Sequence, residues 1–374
     1  MMDPKPVDAL APKLEQPSKM FSQRHLHFLF QLLLVHPLLS PSAAAAAGKV
    51  SAIIVFGDST VDSGNNDYIL TIAKGDFPPY GRDFDGGIAT GRFSNGRLVT
   101  DFISEAFGLP SSVPAYLDPS CTIDQLAMGV SFASGGTGLD DLTADISNVI
   151  HVRQQLEYFK EYKERLTVSK GESNANKIIA DALYYFSIGN NDIGVNYFLL
   201  PQRRSQFSPP EYVALLTDIA GAAVREVYQL GGRRIQLTGI LPVGCVPAMR
   251  TVNLHQPGQC MEEFNQFALL FNAELQKTAS KLNSELTGAT VVYSDMYSLV
   301  SSIIANPLKY GFENVAQGCC GTGIIEALFL CGLEEPLTCE DTDKYVFFDS
   351  VHPTERIYKM EASEMLNTSL AVFL

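Results

Sequence analysis

A chain of 374 residues in which 46% are apolar and 18% are charged can bury a large core, which excludes intrinsic disorder. Its formal charge of −14 gives an acidic surface with no basic patch interleaved with aromatics, so nucleic acid and anionic membranes are excluded as partners. The body of the chain holds no apolar run of about 18 residues, and no transmembrane helix is expected there.

The first element in chain order is a targeting segment. Lys5, Lys13, Lys19 and Arg24 precede an uncharged stretch that is densest from Leu26 to Leu39, and the small residues Ala43 to Ala47 follow before Gly48. That order reads as a secretory signal over residues 1–47, although a start at Met20 would shorten its long basic region. The competing reading is a disordered extension. A signal routes the chain through the endoplasmic reticulum to the extracellular space or cell wall, with retention in the endomembrane system as the alternative destination. Its removal takes away four basic and three acidic groups and moves the formal charge from −14 to about −15.

Short apolar runs then alternate with helical patterns: Ala52 to Phe56, Gly129 to Ala133, Ala182 to Ile188, Arg234 to Ile240 and Thr290 to Ser294. Such alternation predicts an α/β fold with a parallel sheet covered by helices. Helical spacing marks Val152 to Leu166 and Phe264 to Leu282. Another helix is predicted after Ser208, where Pro209 takes the first helical position and Glu211 completes a capping box; Gly231 and Gly232 end it. No repeat or low-complexity linker divides residues 48–374, which reads as one domain. The irregular stretches Thr71 to Asn95 and Gly318 to Thr342 are expected to be decorated loops that carry binding surface.

All seven cysteines, Cys121, Cys245, Cys260, Cys319, Cys320, Cys331 and Cys339, follow the signal, so disulfides are expected. Adjacent Cys319 and Cys320 cannot easily ligate one tetrahedral ion together, and no structural metal is expected.

Four strand-end or loop positions carry chemistry. The first run ends in Gly57, Asp58, Ser59, which puts Ser59 at the sheet edge where open parallel sheets bind ligands. Asp349 and His352 stand three apart before Pro353, which is expected to open the C-terminal helix; the spacing lets Asp349 fold back onto one imidazole nitrogen. Ser134, Gly135, Gly136 follow the second run, and Gly189, Asn190, Asn191, Asp192 follow the third. A glycine N–H and an asparagine amide are suitable donors to an oxyanion. Taken singly, each has a plain reading as turn chemistry or a helix start. The run Gly135, Gly136, Thr137, Gly138 lacks the dinucleotide-binding spacing and no P-loop lysine is present, so no nucleotide cofactor is expected.

Together the four pieces, as FGDST, VSFASGGTG, FSIGNND and FDSVHPTE, resemble the plant GDSL esterase/lipase family of the SGNH hydrolase superfamily, as do PPYG, GRFSNGR, LPVGCVP and GCCGTG. The likeness spans roughly residues 50–370. It implies a three-layer, flavodoxin-like fold with a central parallel sheet of about five strands, and an ester-cleaving site without metal or organic cofactor. By position it implies Ser59 as nucleophile and Asp349 and His352 as the rest of a triad. The oxyanion donors it implies are Ser59 N–H, Gly135 N–H and the Asn191 amide, with Gly136 as the alternative to Gly135. Thr60 stands where the family usually has leucine, at a position expected only to pack. The family's cysteines match all but Cys121. Cys245 is expected to pair with Cys260, and the four from Cys319 to Cys339 to form two bridges, in any of three connectivities.

The implied substrate is a lipid or other small acyl ester, hydrolysed through an acyl-enzyme. An acyltransferase using an alcohol in place of water, a lipid- or glycan-binding relic of the fold, and a metal-dependent phosphoesterase are the alternatives. An Asn-x-Ser sequon at Asn367 offers a glycosylation site.

Overall fold

The structure, a computed structural model, describes residues 49–333 and 337–374; the signal segment, residues 1–47, lies outside the described residues. Each of the five apolar runs forms a strand. They are β1 (Ile53–Gly57), β2 (Gly129–Ser131), β3 (Leu183–Ser187), β4 (Arg234–Thr238) and β5 (Thr290–Ser294). Every pairing is parallel and the spatial order is β2-β1-β3-β4-β5.

Parallel neighbours require crossover connections; predicted helices supply those after β2, β3 and β4, and a helix not predicted from the sequence, Val99–Ala106, lies between β1 and β2. The helices that matter here are α1 (Val99–Ala106), α2 (Val152–Lys170), α3 (Pro209–Gln229), α4 (Glu262–Glu285) and α5 (Glu355–Asn367). Alternate strand residues point to opposite faces. Ile54, Phe56, Tyr184 and Phe186 pack on one face against Phe159 of α2, Leu216 of α3 and Phe271 of α4. Ile53, Val55, Leu183 and Tyr185 pack on the other against Ile103 of α1 and Ile357 of α5. Both faces are covered, which is why these strands read as continuous apolar runs. Helix α3 begins as predicted: Pro209 is its first residue and the Ser208 N–H donates to Glu211 Oε2 at 2.9 Å.

Two features differ from expectation. Helix α5 starts at Glu355, because Pro353 is still in an extended pairing with Phe347 and Thr354 occupies the position before the first turn. A second small sheet also forms, in which β6 (Asn314–Gly318) runs parallel to β7 (Tyr345–Phe347). Strand β7 leads into the Asp349 loop. The segment between β6 and β7 is fastened by Cys319–Cys339 and Cys320–Cys331, one of the three connectivities left open, while Cys245 pairs with Cys260 and Cys121 stays free.

Candidate active site

The chain runs from β1 to β2 on one side and reaches β3 on the other, so a crevice opens at the carboxyl ends of β1 and β3. Ser59 follows β1 and the Gly189–Asp192 loop follows β3, which puts both at that crevice. Ser59 is 8% exposed. The strand end beneath it is held by Gln155 of α2, whose amide accepts from Gly57 N–H and donates to Gly57 O, each at 2.9 Å.

Asp62 organises the loop after Ser59. Its Oδ1 accepts from the N–H groups of Gly64 (2.8 Å) and Asn65 (2.7 Å), and its Oδ2 from the N–H of Gly135 (2.9 Å). Burial pushes this carboxyl up to about 6 against the opposing pull of those N–H groups. Asn66 extends the tie by donating to Gly135 O at 2.9 Å.

One expectation changes as a result: the Gly135 N–H is spent on Asp62 and is not free for an oxyanion. Gly136 has no such commitment among the described residues, and its φ of +92° is the left-handed conformation that glycine adopts without strain. Gly135 is still required for space, because a Cβ there would lie 2.4 Å from the Phe93 ring.

Phe93 carries the site across to His352. Its ring stacks on His352 with centroids 5.2 Å apart. His352 is 5% exposed and Asp349 is fully buried. Asp349 Oδ2 lies 2.7 Å from His352 Nδ1, while Oδ1 accepts from the N–H groups of Val351 (2.7 Å) and His352 (2.6 Å). Those backbone bonds explain why α5 cannot begin earlier. A further donor, the Tyr80 hydroxyl, reaches Asp349 Oδ2 at 2.6 Å and itself accepts from Leu328 N–H at 2.8 Å. Burial alone would raise Asp349, but the charge of His352 and the bonds from His352 and Tyr80 outweigh it and hold the carboxyl below its ordinary value. An ionised Asp349 assigns the proton to Nδ1 and leaves Nε2 as the basic nitrogen.

On the third loop, Asp192 accepts from the N–H groups of Leu139 (2.7 Å) and Asp140 (3.0 Å) and from the Thr143 hydroxyl (2.6 Å). Burial raises it to about 7 against those bonds. Asn191, beside it, donates one amide hydrogen to Thr137 O at 3.0 Å, which leaves its second hydrogen uncommitted. Asn190 donates to Asp58 Oδ2 at 3.2 Å and joins the β3 loop to the turn that carries Ser59.

The sequence-predicted residues Ser59, Gly135, Gly136, Asn191, Asp349 and His352 thus occupy loops that are physically linked. Among the described residues the Ser59 hydroxyl forms no hydrogen bond, so the Ser59–His352 contact expected of a triad is not made in this state; such contacts are often long until substrate binds. Thr60 does more than pack: its hydroxyl donates to Asp58 Oδ1 at 2.7 Å and lies 2.9 Å from Ser187 Oγ. Asn367 is exposed at the end of α5. Sequence reasoning did not assign roles to Asp62, Phe93, Gln155 or Tyr80; Phe93 and Tyr80 lie in stretches recognised only as family blocks.

Comparison with known proteins shows the family. The GDSL-like Lipase/Acylhydrolase family profile matches residues 53–365. Among curated relatives, the GDSL esterase/lipase At2g42990 of Arabidopsis thaliana is 50% identical over 319 residues, which cover 85% of this chain and 91% of that one. The GDSL esterase/lipase At4g26790 of the same plant is 47% identical over 351 residues, covering 94% and 99%. A third, At2g04570, is 45% identical over 350 residues, covering 94% and 99%. The chain therefore belongs to the GDSL-like lipase/acylhydrolase family and is a hydrolase of ester bonds.

Proposed function

We propose that the hydrolase works through a Ser59–His352–Asp349 triad on a lipid or other acyl ester. The observation that carries this reading is the buried Asp349–His352 pair, in which Nδ1 faces a carboxylate at 2.7 Å and Nε2 has no partner among the described residues.

In the first step His352 Nε2 takes the Ser59 proton as Oγ bonds to the ester carbonyl carbon, and the carbonyl π electrons move to oxygen. The oxyanion is held by the N–H groups of Ser59 and Gly136 and by the free amide hydrogen of Asn191. Collapse breaks the bond to the alcohol oxygen, which leaves with the proton from Nε2. Water then attacks the acyl-enzyme, gives its proton to His352, and releases the acid and a reprotonated Ser59.

The place of work is outside the cell. The ordered signal features of residues 1–47 support it, as do three disulfides, which persist in oxidising compartments. The exposed Asn367 is a glycan acceptor on that route.

The test is a panel of short- to long-chain aryl and glyceryl esters, with and without a serine-directed phosphonate, on parent and Ser59→Ala proteins. Cleavage that the phosphonate abolishes in the parent and that is missing from Ser59→Ala is expected; phosphonate-resistant cleavage in both would remove the serine mechanism.

A further inference from the structure

Behind the nucleophile turn lies a small internal cavity walled by Thr60, by Tyr185 and Ser187 of β3, by Asn190, and by Tyr358 and Glu361 of α5. Three of these form one hydrogen-bonded unit around Asp58. Thr60 Oγ1 donates to Asp58 Oδ1 and approaches Ser187 Oγ, while Asn190 donates to Asp58 Oδ2. The unit ties the turn that carries Ser59 to the loop that carries Asn191.

The opposite wall is unusual. Glu361 is 4% exposed, yet its Oε1 has no hydrogen-bond partner, and neither does the neighbouring Tyr358 hydroxyl. The titratable groups that interact with it are Tyr185 of β3 and Tyr358 of α5; both also feel Asp58, a fully buried carboxyl that desolvation likewise raises, and Tyr358 feels Asp349. Val99 at the start of α1, Met296 and Leu241 close the cavity with apolar surface, and β4 adds only the Thr238 hydroxyl. No cation faces Glu361 among the described residues. A carboxylate without a cation or a donor is expensive to bury, so this site favours the neutral acid. Desolvation accordingly raises Glu361 to about 8.

We propose that Glu361 is a positioning residue for ester hydrolysis: the neutral acid completes the wall behind the Thr60–Asp58–Asn190 unit, and its ionisation lowers turnover by placing an uncompensated negative charge in that wall. This role rests on the reading of Ser59 as nucleophile and Asn191 as oxyanion donor. The added charge acts against the negative charge that develops on the oxyanion, and it competes for the hydrogens of Thr60 and Asn190 that hold Asp58. The effect on folding has the same sign. A raised acid contributes stability in full below its unfolded value of about 4.3, and that contribution is lost as pH rises through the folded value.

The experiment compares the parent with Glu361→Gln, which keeps shape and stays neutral. Turnover and KM on an aryl ester are followed from about pH 6 to about pH 10. Phosphonate-titrated site counts and a circular dichroism spectrum are taken at each pH. In the parent, kcat is expected to fall reversibly by about tenfold across the titration of Glu361, with KM, site count and spectrum unchanged. Glu361→Gln is expected to match the parent at the acid end and to hold that rate through the range where the parent declines. Coincident profiles for the two proteins would overturn the proposal while leaving the triad intact. A parent with no phosphonate-reactive sites at any pH would instead overturn the serine mechanism, and the positioning role with it. If Glu361→Gln does not fold, Glu361→Met, also neutral and of similar length, takes its place: a kcat that holds where the parent declines supports the proposal, and a profile coincident with the parent overturns it.

Discussion

Two buried carboxylates flank the site and are used in opposite ways. On the nucleophile side, Asp62 accepts three backbone N–H groups from its own loop and from Gly135. On the base side, Asp349 accepts two local N–H groups but also faces His352 and takes the hydroxyl of Tyr80, a residue 269 positions away. With only neutral donors around it, Asp62 stays raised by burial, whereas the imidazole and the phenol bring Asp349 below its ordinary value. The nucleophile loop is thus a scaffold of peptide groups, and the base loop is held by side chains brought from elsewhere in the chain. The contrast makes the base side the more sensitive to single side-chain changes.

The largest expected effect falls on Asp349. Asp349→Asn leaves a neutral partner for Nδ1, can stabilise the wrong imidazole tautomer, and should lower kcat by about 10⁴-fold, read on an aryl ester with phosphonate-titrated sites. A loss of less than about tenfold would mean that the carboxylate does not orient the base. Next comes Asn191→Ala, expected to cost about 10²- to 10³-fold in turnover with KM little changed. Because Asn191 also donates to Thr137 O, a thermal melt of the same sample separates the two roles. An Asn191→Ala protein that melts like the parent and turns over at the parent rate would place the oxyanion elsewhere.

Tyr80→Phe removes the hydrogen bond to the charged Asp349, together with the one accepted from Leu328 N–H, and should reduce kcat by about tenfold. Its pH profile distinguishes orientation from packing. With one fewer donor on Asp349, the acid limb of kcat/KM should move to higher pH, and an unshifted limb would reduce Tyr80 to a packing residue. The smallest effect is a difference in acid response between the two loops. Asp349, depressed in the folded state, contributes stability above its unfolded value of about 3.9, and that contribution is lost as pH falls through the folded value. Asp62, raised to about 6, contributes most below its unfolded value and loses that contribution as pH rises through about 6. Hydrogen exchange at acid pH, corrected for intrinsic rates, should therefore show residues 349–354 loosening before residues 62–66; the reverse order would contradict the contrast.

Much of the fold was legible because burial on both faces writes each strand as an unbroken apolar run, as in Ile53–Gly57 and Leu183–Ser187. The Asp349–His352 spacing was legible for a local reason, since an Asx-type turn brings residues three apart together. Strands β6 and β7 were not, being short and, in the case of Asn314–Gly318, partly polar. The choice between Gly135 and Gly136 could not be read because a backbone N–H leaves no mark in sequence, and only Asp62 reveals which one is spent. Tyr80 lay beyond reach for another reason: its partner depends on how the disulfide-bonded segment around Leu328 folds over the base loop. Glu361 sits on the apolar face of α5 among Ile357, Ala362 and Met365, where periodicity alone would have asked for a hydrophobic residue.

The central claim is that Ser59 is the nucleophile activated by the Asp349–His352 pair, and covalent labelling tests it most directly. Folded protein is treated with a fluorophosphonate, digested and mapped by mass spectrometry, beside Asp349→Asn treated in the same way. One phosphonyl group on Ser59, formed much more slowly in Asp349→Asn, is the expected result. A label on another serine, or none on folded protein that still cleaves esters, would contradict the assignment.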